Sequence, residues 1–199
     1  MTGPPLPLPL TLQTSRLLLR PWAEGDETAL QAALGESVEQ LLPWIPWATA
    51  AAPTSGESRA LVQRWIGERE AGVNCIYAMF ERAGSRLAGG VGLYNRVGPG
   101  ALEIGYWVRT AAAGTGYATE ASAALTSAGF ALPGIERIEI HIDPRNLPSR
   151  RVPEKLGFSL LEIRGSDRER GGAATETMVF VLPRSGFEAA RRSGPNSRK

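Results

Sequence analysis

Between Ala101 and Ala131 the sequence passes from an alternating strand, ALEIGYWVR, through Gly114-Thr115-Gly116 into an alanine-rich helix stopped by Pro133-Gly134. A strand, a glycine turn and a helix make half of a right-handed β–α–β crossover. The apolar run Glu136–Ile142 supplies the strand that completes it. The runs before it, Cys75–Phe80, Leu87–Tyr94 and Ala101–Arg109, are separated by the turn signals Arg82-Ala83-Gly84-Ser85 and Gly98-Pro99-Gly100, so they read as hairpins. One crossover set among hairpins predicts a mixed α/β (α+β) sheet, not a repeated β–α array.

The remaining elements follow from periodicity and stop signals. Arg16–Arg20 is a short apolar strand ended by Pro21. Asp26 is placed to cap a helix through Leu34. Leu61, Val62, Trp65 and Ile66 lie at helical spacing within Ser55–Ala71. Asn146–Leu156 reads as a short helix, Phe158–Ile163 and Glu176–Leu182 as the last strands, and Gly171-Gly172 as the turn between them. The predicted order is β–α–α–β–β–β–α–β–α–β–β.

The chain has 199 residues, a length suited to one domain. Prolines 4, 5, 7 and 9 alternate with leucine at the start, and no basic stretch precedes them. Residues 1–11 are therefore expected to form a flexible arm, not a secretory signal. Residues 184–199 carry five basic side chains against Glu188, a net +4, so residues 1–183 carry −2 of the chain's +2. The basicity belongs to a Gly/Ser/Pro/Asn-containing stretch expected to be a flexible tail, with residues 12–183 as the domain. With no basic face in the body to extend it, a solvated tail is expected and no direct nucleic-acid contact, a tail that contacts nucleic acid or ribosome being the alternative, and no segment reads as a membrane span. With one cysteine, Cys75, the chain cannot close an internal disulfide, which fits a cytoplasmic protein. No His/Cys/Asp cluster has metal-ligand spacing, so no metal is expected.

The glycine turn is the most chemical-looking stretch. Backbone amides at a helix start lack intrahelical partners and sit at the positive end of the helix dipole, a ready site for an anion. A dinucleotide-binding fingerprint would need glycine where Thr119 stands and an acidic residue nearer than Asp143. A P-loop would need Gly-Lys-Ser/Thr, which is absent. A plain tight turn with no ligand stays open on these residues alone.

Three stretches carry a resemblance. EIGYWVRTAAAGTGYATEA resembles the cofactor motif of the GCN5-related (GNAT) acetyltransferases, Arg/Gln-x-x-Gly-x-Gly/Ala, aligned on Ala113-Gly114-Thr115-Gly116-Tyr117-Ala118. Arg137–Phe158 (RIEIHIDPRNLPSRRVPEKLGF) is similar to that family's next strand and helix, with Asn146, Ser149 and Lys155–Phe158 in the matching places. Leu12–Trp22, with LLPWIPW at 41–47, resembles the branch of ribosomal-protein N-terminal acetyltransferases of the RimJ/RimL type. The resemblance spans residues 12–183. It implies a single mixed, mostly antiparallel sheet of about seven strands with helices on both faces, splayed between the fourth and fifth strands. It implies acetyl-CoA as cosubstrate, its pyrophosphate on the amides of Gly114, Thr115, Gly116, Tyr117 and Ala118. The pantetheine arm would lie against main-chain groups of Trp107 and Val108, with Asn146 and Ser149 facing it. The sequence departs from the family pattern at Ala113, where Arg or Gln is usual, and at Pro153, inside a helix where alanine is common. Arg109 or Arg150 could replace the missing contact at 113.

The resemblance further implies transfer of an acetyl group to an amine, which must be neutral to attack a thioester. An α-amine, with pKa about 7.7–8.0, is appreciably neutral at pH 7.5, whereas a lysine near 10.4 is only about 0.1% neutral. No dominant base stands out, so an α-amine on a ribosomal or other protein N-terminus suits the chain best. A small amine such as an amino sugar, amino acid or polyamine is the alternative, and a non-catalytic acyl-CoA-binding protein a further one. Glu103, on the strand beside the expected thioester, is the candidate base, directly or through water. Ser149 is the candidate donor to the departing thiolate. Trp44 and Trp47 are candidate floor residues of an acceptor pocket. Asp167 and Glu169 are placed in a loop after Phe158. His141, between Ile140 and Ile142, is expected to be packed or to face solvent, and Cys75 to be a core residue. A monomer or homodimer is expected.

Overall fold

In the strand Asn74–Glu81, successive side chains enter two different cores. Cys75, Tyr77 and Met79 lie in one apolar cluster, Ile76 and Ala78 in another, and all five are buried. A strand buried on both faces must lie inside a sheet covered by helices on both sides. The computed structural model describes residues 8–45, 51–170 and 173–193, and no side chain from 166 to 175.

The strands are β1 (Leu12–Gln13), β2 (Leu17–Pro21), β3 (Asn74–Glu81), β4 (Leu87–Tyr94), β5 (Ala101–Val108), β6 (Arg137–Ile142), β7 (Ser159–Arg170) and β8 (Ala173–Pro183). The helices are α1 (Glu27–Gly35), α2 (Val38–Leu41), α3 (Ser55–Glu70), α4 (Tyr117–Phe130), α5 (Leu147–Lys155) and α6 (Arg184–Arg192). All eight strands join one sheet in the order β1-β2-β3-β4-β5-β6-β8-β7. Only β5 and β6 pair in parallel, joined by the crossover through α4.

One core lies under α4, where Ala121, Leu125, Ala128 and Phe130 meet Leu93, Leu102, Ile104, Ile138 and Ile140. The other lies under α1 and α3. There Leu30, Leu34, Val62 and Trp65 pack with Trp22, and the two indoles stand 4.9 Å apart. Full burial of a Leu or Ile side chain contributes about 1.5–3 kcal/mol, so these stripes account for the attachment of both layers. Among the described residues no helix is long and apolar enough to cross a membrane.

Several elements differ from expectation for local reasons. Asp26 stands at the N-cap of α1, yet its carboxylate does not cap. Arg20 holds it through two bonds of 2.7 Å, and it accepts the Ala23 N–H at 2.9 Å. The residue that caps by reciprocal bonding is Thr54, with Glu57, at the start of α3. β7 continues to Arg170, so Asp167 and Glu169 lie on a strand and not in a loop. Residues 184–192 are helical, not an extension of a flexible tail. Phe187 stacks on Phe130 at 4.8 Å, and Arg184 donates to the carbonyls of Ile135 and Leu132. Of the expected N-terminal arm, Leu8 is buried and the Pro9 carbonyl accepts the Tyr77 hydroxyl at 2.6 Å. The Gly171-Gly172 turn lies outside the described residues.

Candidate active site

β5 and β6 pair at three positions, Ala101↔Arg137, Leu102↔Ile138 and Glu103↔Glu139, and then part. Each keeps its other neighbour: β4 follows β5 to Val108, and β8 follows β6 to Ile142. Not counting the two-residue β1, the parting falls between the fourth and fifth strands. A cleft of about 520 Å³ fills the opening and is lined by Glu103, Tyr106, His141, Asn146 and Ser149. Trp44 and Ile45 line it as well, with Arg64, Glu68 and Arg96. Trp47 lies outside the described residues.

The main chain of β5 is shaped by a bulge in β4, where the register with β3 shifts between Met79 and Phe80. Gly89 sits there at φ +154°, and a Cβ would lie 2.2 Å from the Trp107 carbonyl oxygen. The Arg109 N–H donates to the Ala88 carbonyl at 2.9 Å. Alternation along the strand therefore turns the main-chain groups of Trp107 toward β4 and those of Tyr106 and Val108 toward the opening. The Val108 carbonyl accepts from Gln40 at 3.3 Å.

Glu103 is the last paired residue before the opening, and it is buried. Arg96 clamps both its oxygens, at 2.6 and 2.7 Å, while stacking over Tyr94 at 4.5 Å. Burial pushes the Tyr94 phenol up to about 12. Opposite, His141 reaches two carboxylates: its Nε2 lies 2.7 Å from Glu139 and its Nδ1 3.7 Å from Glu103. Glu139 is in turn held by Arg137 at 2.8 Å. Burial works to raise the Glu139 carboxyl, but bonds from His141 and Arg137 outweigh it and hold the group below its usual value. His141 is thus neither core packing nor a solvent-facing residue. It lines the cleft with its side chain 14% exposed.

The opposite wall is α5. Asn146 is its N-cap, accepting the Ser149 N–H at 3.2 Å through Oδ1. Pro153 has no N–H to give the Ser149 carbonyl one turn back. The Tyr106 hydroxyl donates to that carbonyl instead, at 2.9 Å, and the Ser149 hydroxyl donates to Tyr106 at 3.0 Å. The phenol's proton is committed to the carbonyl, so the proton between the two hydroxyls belongs to Ser149. Burial raises the Tyr106 phenol well above its ordinary value and keeps it protonated. The orphan carbonyl left by a proline thus ties a β5 side chain to α5 across the cleft.

At the far end of β5 lies the glycine loop. Among the described residues the N–H groups of Gly114, Thr115 and Gly116 have no hydrogen-bond partner, and the first-turn amides of Tyr117 and Ala118 add to them. Gly116, at φ +86°, is the N-cap of α4. Residues with free amides and no Cβ beyond the α carbon at 114 and 116 fit a pyrophosphate. Neither expected substitute for the side chain missing at Ala113 serves the loop. Arg109 is held by Glu36 and the Leu87 carbonyl, and Arg150 pairs with Glu154 at 2.7 Å. The cation at the loop is Arg16, from the turn before β2. It donates to the Thr115 carbonyl at 2.9 Å, binds Glu120 and lies over the Tyr117 ring. Nothing in the run Leu12–Trp22 marks Arg16 for this contact, because its partners come from a loop and helix far along the chain. Among the described residues no group of three His, Cys, Asp or Glu side chains could hold a metal ion.

Comparison with known proteins agrees with this geometry. Residues 16–159 match the family model described as an acetyltransferase (GNAT) domain. Uncharacterized N-acetyltransferase YnaD of Bacillus subtilis (strain 168) is 27% identical over 147 residues, 74% of this chain and 81% of its own length. Among solved structures, RimL, a ribosomal α-N-protein acetyltransferase in complex with coenzyme A, superposes with a TM-score of 0.78. It is 22% identical, over 90% of this chain and 98% of its own. A ribosomal-protein alanine acetyltransferase from Vibrio fischeri gives a TM-score of 0.76 at 18% identity, over 88% of this chain and 97% of its own.

Proposed function

Because this chain belongs to the GNAT acetyltransferase family and is an acetyl-CoA-dependent N-acetyltransferase, we propose that its acceptor is the α-amino group of a protein or peptide. The observation that carries this reading is the charge of the cleft. Its carboxylates, Glu68, Glu103 and Asp143, are each paired, with Arg64, Arg96 and Arg145. A polyamine would be drawn to an acid-lined pocket, whereas a peptide terminus brings one ammonium on an otherwise neutral backbone. The ribosomal-protein substrates named for two structural neighbours support the same choice. An α-amine also needs little help to lose its proton near neutral pH. A cytoplasmic setting fits such an acceptor.

Acetyl-CoA supplies the acetyl thioester when bound. The amides of Gly114 to Ala118 would hold its pyrophosphate, and the main chain of Val108, with Asn146, would flank the arm in the opening. Trp44 lines the acceptor end. The Glu103 carboxylate, fixed by Arg96, draws in the acceptor ammonium. Ser149 lines the opening with a hydroxyl that can donate, and it gives up its bond to Tyr106 when it protonates a departing thiolate.

Two substitutions test the last assignment. Ser149→Ala removes the proton itself and is expected to lower kcat about 10- to 100-fold with little change in KM. Tyr106→Phe leaves the Ser149 hydroxyl but orphans the carbonyl, so it is expected to cost about 1–3 kcal/mol of stability and to lower kcat less. Steady-state kinetics beside thermal melts separate the two.

The acceptor is identified by incubating the protein with a bacterial lysate and isotopically labelled acetyl-CoA, then separating products by size. Label on protein N-termini is the expected result. Label confined to small molecules overturns the reading.

A further inference from the structure

We infer that His141, oriented by Glu139, is the group that takes the proton from the acceptor amine in this acetyl transfer. The inference rests on the acetyltransferase reading, but not on which amine is the acceptor.

Both oxygens of Glu103 already hold Arg96, at 2.6 and 2.7 Å. A proton landing on Glu103 must break a bidentate pair. His141 stands differently. Its Nε2 faces the Glu139 carboxylate at 2.7 Å. An ionised carboxylate only accepts, so Nε2 carries the ring proton and Nδ1 keeps its lone pair. Nδ1 lies 3.7 Å from Glu103, too far for a hydrogen bond, and among the described residues it has no hydrogen-bond partner. Two acceptors that far apart can both touch one nitrogen at about 2.8 Å. An entering ammonium can therefore rest against the Glu103 oxygen and the Nδ1 lone pair at once.

The charges around the ring are matched without it. Glu103 is paired with Arg96 and Glu139 with Arg137, while Asp143, two residues on, is paired with Arg145 at 2.6 Å. Tyr94 and Tyr106 add phenols to the cleft lining. From β8, the residues opposite Glu139 and His141 are Val181 and Val179, both apolar. A base oriented by a carboxylate through its other nitrogen is the arrangement that makes a histidine an effective proton acceptor.

The step balances as follows. The acceptor ammonium gives one proton to Nδ1. Its nitrogen pair forms the bond to the acetyl carbon, and the carbon–sulfur bond breaks with its electrons on sulfur. A second proton leaves the new amide nitrogen as sulfur becomes a thiol, passing by way of the Ser149 hydroxyl. The imidazolium then releases its proton to water.

His141 is the chain's single histidine, so its ring nitrogens are observed without assignment ambiguity in ¹⁵N-labelled protein. The neutral ring is expected to be protonated on Nε2. Its titration midpoint is expected to coincide with the acid limb of kcat/KM, measured with an alanine-initiated peptide or with the amine that takes label in the lysate. Glu139→Gln is expected to move midpoint and limb together to lower pH, because the carboxylate that favours the charged ring is gone. The acceptor's own titration would not follow a substitution at 139. His141→Gln is expected to lower kcat about 100-fold or more and to abolish the limb. The inference is overturned by a neutral ring protonated on Nδ1, by a limb that stays while the Glu139→Gln midpoint moves, or by His141→Gln keeping the limb with kcat within about 3-fold. The tautomer and the titration need no acceptor, so they stand or fall apart from the peptide reading.

Discussion

Glu120→Ala is expected to lower the melting temperature by about 6–12 °C, the equivalent of about 3 kcal/mol in a domain of this size. Glu120, in the first turn of α4, gathers most of the polar contacts that close the turn before β2 onto the glycine loop. One oxygen accepts the hydroxyls of Thr14 and Ser15 and the N–H of Arg16, and the other accepts the Arg16 guanidinium at 2.7 Å. Hydrogen bonds to a charged group contribute roughly 1.5–3 kcal/mol each, and several on one carboxylate are not additive. Removing it also strands their donors. The same contacts make a pH signature. Burial alone would raise the carboxyl, but the bonds from Thr14, Arg16 and Ser15 outweigh it and bring it to about 2. The folded value lies below the unfolded one, so this stabilisation is full above about pH 4.5 and is lost as pH falls toward 2. Urea unfolding at pH 7, 4 and 3 should show a steep fall that Glu120→Gln flattens. An unchanged midpoint in Glu120→Ala would refute the role.

Gly89→Ala is expected to be at least as damaging, at about 3 kcal/mol or more, and to reduce activity in whatever fraction folds. The new methyl would lie 2.2 Å from the Trp107 carbonyl oxygen and 2.9 Å from the Val108 Cα, both backbone atoms of β5, while φ is +154°. Neither obstacle is the end of a flexible side chain. Relief requires β4 and β5 to separate at the segment that flanks the cleft. Gly67, inside α3 with nothing within 4 Å, is the control. There alanine is expected to stabilise by up to about 1 kcal/mol, since it replaces a poor helix former on an open surface. Paired denaturation curves decide the matter, and equal midpoints for the two variants would count against the bulge.

The central strands are legible because their apolar residues run between turn signals, and the expected and observed bounds of Leu87–Tyr94 coincide. The ends are less so. Arg164–Arg170 is too polar to look like a strand, and it extends β7 by pairing with β8. Arg184–Arg192 has the composition of a tail, and its helix stands beside Phe130 through the single aromatic Phe187. At the site, Glu103 and Ser149 could be picked out because each stands in a recognisable motif. The partners of His141 could not. Glu139 is two residues away, but Glu103 becomes its neighbour only through the parallel register Glu103↔Glu139 across a long crossover. Periodicity fixes faces and leaves register open. Arg96 was hidden for the same reason, as a turn residue whose target is set by the strand that follows.

Pro153 leaves α5 one hydrogen bond short. A helix with all its bonds is self-contained and can slide over a sheet as a rigid rod. α5 is completed instead by a phenol on the other bank, so small movements of strand and helix are transmitted and not absorbed. The residue at 153 therefore tunes the stiffness of the opening without touching anything that enters it.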